Sequence, residues 1–98
     1  MLVNIIKTYR EVVAICDKEL LGKKFEDGKF QLDLKENFFG GDEMEKEEVL
    51  NVMKQKAIED ATFNIVGEKS VNTALEAGII SEEEIGKINK IPFALILI

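Results

Sequence analysis

The chain has no histidine, no tryptophan, one cysteine, one proline and only two serines (Ser70 and Ser81) among 98 residues. Each shortage removes a kind of chemistry. Without His no Ser-His-Asp triad can form, and the commonest general base that titrates near neutral pH is missing. One Cys permits no internal disulfide, and Cys₄ or Cys₂His₂ zinc sites lack their ligands. Long apolar runs are missing too. The longest, Phe93-Ala-Leu-Ile-Leu-Ile98, is far short of the roughly 20 residues that cross a bilayer. Lys7 interrupts the first apolar stretch too early for a signal peptide. With the solitary thiol, these features lead us to expect a cytoplasmic protein without membrane association.

What is present is charge, unevenly placed. Thirteen basic and nineteen acidic side chains give a net charge of −6. Residues 1–41 carry seven of each sign, whereas residues 42–98 carry six Lys against twelve Asp or Glu. An acidic chain lacks the cations that displace counterions from duplex phosphates, which argues against duplex DNA as a partner. The neutral front still leaves room for a local basic face. Twelve Ile and twelve Lys against two Gln resemble the bias of thermophilic proteins.

The length fits one domain over residues 1–98, since a chain of this size buries only roughly 60–65% of its unfolded surface. Val3–Lys7 and Glu11–Cys16 are β-branched runs separated by Thr8-Tyr9-Arg10, which predicts a hairpin. A second hairpin is marked by Asp27-Gly28 between Lys24-Phe25-Glu26 and the alternating Lys29–Leu34. After Gly40-Gly41, Asp42 and Glu45 read as a capping box opening a helix. Val49, Leu50, Met53, Ala57 and Ala61 follow its core-facing rhythm. Phe63–Val66 reads as a short strand, Glu68–Ala77 as a helix ended by Gly78, and Ser81–Glu84 as a capped single turn. Pro92 belongs at the first position of a last strand, which is apolar on both faces and therefore central.

The fold class is therefore α+β: a small mixed or antiparallel sheet from two N-terminal hairpins and a C-terminal strand, packed with two main helices. Strands apolar on both faces need cover on both. Two helices cover one face. The other must be closed by the second hairpin, a barrel-like curl or a second copy, and the last of these would make a homo-oligomer through a sheet face.

Few groupings carry chemistry. Lys7, Tyr9 and Arg10 at the first turn, with Lys23 and Lys24, form a basic-plus-aromatic set that could contact RNA or an acidic protein. A solvated hairpin end accounts for them equally well. Phe38-Phe39 offers an interface anchor, or else folds beneath the capped helix. Gly67, Lys69 and Ser70 place a glycine and a helix start together, a possible anion site that lacks the upstream Gly of a phosphate loop. A plain turn is the simpler reading. Asp42, Glu43, Glu45, Glu47 and Glu48 have no convergent geometry for a cation, so no metal is expected. Cys16 lies in an apolar strand with nothing to activate it. No catalytic residue and no cofactor are indicated.

Several segments resemble an archaeal family, domain of unknown function 424. They are Cys16–Lys23 with Phe25 and Gly28, Phe38–Gly41, Asn64–Val71, and Gly78 followed by Ile91–Ala94. The likeness covers nearly the whole chain. It implies an archaeal cytosolic α+β protein with no established activity, and hence no functional residues to transfer. The family pattern often has Tyr where this chain has Phe39, and His where it has Phe93. A role for that His is absent here.

Three readings follow. The first is a non-catalytic module contacting a protein or ribonucleoprotein, in a translation context suited to a small archaeal protein. The second is a small-molecule or anion binder, or a carboxylate-dependent enzyme, using the Gly67 helix start. The third is a structural subunit docking an apolar sheet face.

Overall fold

Residues 1–97 are described by a computed structural model in which the β-branched runs pair first. β1 (Leu2–Ile6) and β2 (Val12–Cys16) form the first hairpin, antiparallel from Leu2↔Cys16 to Ile6↔Val12. A single 3₁₀ turn at Lys18–Leu20 leads to β3 (Lys24–Asp27) and β4 (Phe30–Asp33), then to a four-residue helix α1 (Glu36–Phe39). A two-residue strand β5 (Asp42–Glu43) precedes the long helix α2 (Lys46–Ile58). The chain then runs through β6 (Thr62–Val66), α3 (Glu68–Ala77), a capped 3₁₀ turn at Glu82–Glu84, β7 (Gly86–Ile88) and β8 (Ile91–Ile96).

The main sheet has the order β5-β1-β2-β6-β8-β7, with β2 and β6 parallel and its other pairs antiparallel. The last strand is inserted between β6 and β7, so the C-terminal run is internal to the sheet, as its two-faced apolarity requires. β3 and β4 form a separate two-stranded sheet. This corrects the expectation that both hairpins share one sheet. Gly28, at φ +61, opens the two-residue turn between them.

The two faces have separate cores. On one face, Val3, Val13, Ile15, Phe63, Ile65 and Ala94 meet Val49 and Met53 of α2 and Val71 and Ala74 of α3. On the other, Leu2, Ala14, Cys16 and Val66 lie beneath Leu20, Leu34 and Phe39, with Phe25 and Leu32 of the second hairpin packed alongside. Of the three expected ways to close that face, the hairpin supplies the cover, and it does so at the Cys16 end.

Four local readings are corrected. Asp42 opens no helix: it pairs with Val3 in β5, and α2 begins at Lys46 behind Glu45, which makes no side-chain cap bond. The cause lies at Gly41, where a Cβ would fall 2.1 Å from the Val3 carbonyl oxygen. The close approach draws the next residues onto β1 as an edge. Ala61 is buried but follows α2 instead of lying on it. Phe38 and Phe39 do not fold beneath α2: they occupy a one-turn helix on the opposite face of the sheet, with Leu2 and Cys16, their rings edge to face at 5.1 Å. Pro92 is the second residue of β8, not the first. Its carbonyl accepts from Gly67 at 2.9 Å, so its missing donor faces the point where β6 ends and needs no partner.

Candidate functional site

The sheet has two unlike ends. At one, β1 stops, β2 and β6 start and β8 finishes; at the other lie Cys16, Val66 and the start of α3. Lys7, Tyr9 and Arg10 are exposed at the first end. Lys23 and Lys24 are exposed too, but they follow the 3₁₀ turn that leaves the opposite end of β2. The five residues therefore form no single surface. Phe39 is buried and Phe38 half-buried over β1, where the Phe38 carbonyl accepts a 2.7 Å hydrogen bond from the Asn4 amide. Neither ring is a free anchor.

The first end instead collects apolar side chains that sequence reasoning did not group. On the face opposite α2, Leu95 is exposed and Ile6 and Val12 are half-buried, while Tyr9, Leu97 and, on the α2 side, Ile58 are exposed at the same end. They come from a loop, a helix C-terminus and the end of the chain's last strand, and the register fixes which sheet face Leu95, Ile6 and Val12 share. The covering hairpin does not reach them. Acidic and basic groups rim this end. Lys56 donates to Glu11 at 2.7 Å and to Glu59 at 3.2 Å, tying the end of α2 to the start of β2. These bonds hold the Glu11 carboxyl below its ordinary range and the Lys56 ammonium above its own.

At the opposite end the Gly67 helix start holds an anion, and the anion is internal. Asp17, only 4% exposed, turns its carboxylate onto the first turn of α3. Oδ2 accepts from the Lys69 backbone N–H at 3.0 Å, and Oδ1 accepts from the Ser70 N–H and hydroxyl, both at 2.8 Å. Gly67 makes the approach possible. At φ +113 it occupies backbone open to glycine, and a Cβ would lie 2.4 Å from the Asp17 carboxyl carbon. The Gly67, Lys69 and Ser70 backbone is thus a strand-to-helix clasp, its amides already taken.

Two shallow clefts flank α3. The larger, about 440 Å³, runs between α3 and the β7–β8 hairpin; the smaller, about 340 Å³, lies towards Met1 and Lys46. Cys16 is fully buried, and burial pushes its thiol up to about 11, so it is no nucleophile. Among the described residues, no three His, Cys, Asp or Glu side chains converge as metal ligands, and no helix is long and apolar enough to cross a membrane.

A family model described as "Protein of unknown function (DUF424)" matches residues 6–98. The chain belongs to the DUF424 family. Among solved structures, this DUF424 protein is similar to an uncharacterised conserved protein from Methanopyrus kandleri, at 28% identity and a TM-score of 0.86. The match covers 97% of this chain and 88% of that one. No curated protein matches the chain.

Proposed function

We propose that this DUF424 protein is a non-catalytic interaction module of the archaeal cytoplasm, docking a protein through the open end of its sheet. The partner is a protein or the protein part of a ribonucleoprotein, in a translation context. One observation carries this reading: on the face that the second hairpin covers, the cover stops short of Ile6, Val12 and the exposed Leu95, with Tyr9 and Leu97 exposed at the same end. Monomeric proteins seldom gather exposed apolar side chains in this way unless something covers them.

The composition of the patch favours protein over RNA. Single-stranded RNA is held by aromatic stacking and cationic grooves. Here Tyr9 is the one exposed ring at this end, the other exposed apolar side chains are aliphatic, and Glu59 and Asp60 are exposed at the end of α2. Lys7 and Arg10 at the rim suit the polar margin of a protein interface.

The test is affinity capture from an archaeal lysate by the intact protein and by a Tyr9→Ser/Leu95→Ser variant, with and without nuclease. The reading expects a discrete partner that survives nuclease and is lost by the variant. A partner lost only to nuclease would replace it with RNA binding. A mass twice that of the monomer, abolished by the variant, would make the partner a second copy.

A further inference from the structure

The larger cleft beside α3 has features that the docking surface does not use. Its floor is apolar, from Val71, Leu75, Ile85 and Pro92, and its volume is about 440 Å³, within the range of ligand clefts. Glu68, Glu82, Lys87 and Lys90 stand around it. Among the described residues, none of the four joins an ion pair or a side-chain hydrogen bond.

Lys90 is held at a cost. Asn89 and Lys90 connect β7 to β8 with φ of +49° and +67°, the double left-handed turn in which the second position strongly favours glycine. Lysine there strains the backbone and places an unpaired cation on the cleft wall. Strain of this kind is a pointer to a functional position.

The strand register orients the charges. Gly67 donates to Pro92, so Lys90 and Pro92 lie at the Glu68 end of α3. Gly86 pairs with Phe93 and Ile88 with Ile91, which carries Ile85 and Glu82 towards the Leu75 end. From Glu68 to Leu75 the helix rises about 10 Å. Glu68 shares the basic end, but there its charge is offset by the positive terminus of α3.

We propose that this cleft binds an extended dipolar peptide segment, its acidic end against Lys87 and Lys90 and its basic end against Glu82. At about 3.3 Å per residue, three or four residues span the distance. Recognition is by charge order over an apolar floor, and it is independent of the docking surface at the sheet end.

The test is a titration of ¹⁵N-labelled protein with the peptide Lys-Ala-Ala-Glu and with its isomer Glu-Ala-Ala-Lys, both with free termini, so that the first carries two charges of one sign at each end and in the isomer the terminal charges cancel those of the side chains. The first should shift the amides of Asn72, Leu75, Ile85 and Lys87 with a Kd of about 1 mM, and the isomer should bind about fivefold more weakly. Lys90→Gly should weaken the first peptide about fivefold while leaving the melting temperature equal or higher, because glycine relieves the turn. Equal binding of the two isomers would overturn the proposal, as would undiminished binding by Lys90→Gly. Absence of saturable shifts, or the same shifts from inorganic phosphate at similar affinity, would overturn it too.

Discussion

Replacing Asp17 with alanine should cost the fold about 3 kcal/mol. The carboxylate is the only cap on α3, since Gly67 offers no side chain, and loss of a cap alone costs about 1 kcal/mol. More follows from burial. Ser70 is fully buried, so its N–H and hydroxyl lose their acceptor where water cannot replace it, at about 1–3 kcal/mol for stranded polar groups. The Lys69 amide belongs to an exposed residue and can recover a water, so it adds little. For a domain of this size, about 3 kcal/mol lowers the melting temperature by about 15 °C. Asp17→Asn keeps the shape and one acceptor, and should cost about half as much. Adding Ser70→Ala to Asp17→Ala should cost less than the two single changes combined, because the stranded hydroxyl is gone. Urea unfolding with thermal melts gives all four values. A loss below about 0.5 kcal/mol for Asp17→Ala, the level of an ordinary surface change, would refute the clasp.

Gly67→Ala should cost about 3 kcal/mol in the same assay, since both the backbone angle and the Asp17 contact forbid a Cβ. Lys56→Met should narrow its stability gap from wild type as the medium is acidified. Glu11, depressed chiefly by its hydrogen bond from Lys56, contributes stability above the ordinary carboxylate range near pH 4.3 and loses it as pH falls through its lower folded value. Lys56, raised chiefly by the same bond, contributes fully below the ordinary lysine range and loses that only as pH rises through its higher folded value. The gap in urea midpoints should therefore hold from neutral pH to about 10 and shrink below about 4. Cys16 should resist a thiol reagent at pH 8 in the native protein and react at once in urea. Removal of Phe93–Ile98 should abolish the cooperative melt, because β8 joins β6 to β7; a truncated chain that still melts sharply would contradict the topology.

Elements with a strong local signal were legible in the sequence. The β-branched runs, the Asp27-Gly28 turn, the Gly78 stop and the Ser81–Glu84 cap all act within a few residues, and each is where local chemistry places it. Long-range contacts misled. Asp42 has the chemistry of a helix cap, yet Gly41 presses the chain against Val3 and makes a strand. β7 is three residues closed by Asn89-Lys90, a turn without the usual glycine, and so gave no hairpin signal. The site suffered most. Asp17 and Ser70 are 53 positions apart and meet only because β2 and β6 lie side by side. Ile6, Val12 and Leu95 likewise share one face through the sheet alone, whereas Lys7 and Lys24, which look alike in sequence, face opposite ends.

The most direct test of the docking reading is a hydrogen-exchange footprint of the protein in complex with its nuclease-resistant captured partner. Slowed exchange confined to residues 6–12, 58–62 and 95–97 is the predicted result. A footprint that spares those segments and falls elsewhere would contradict the account.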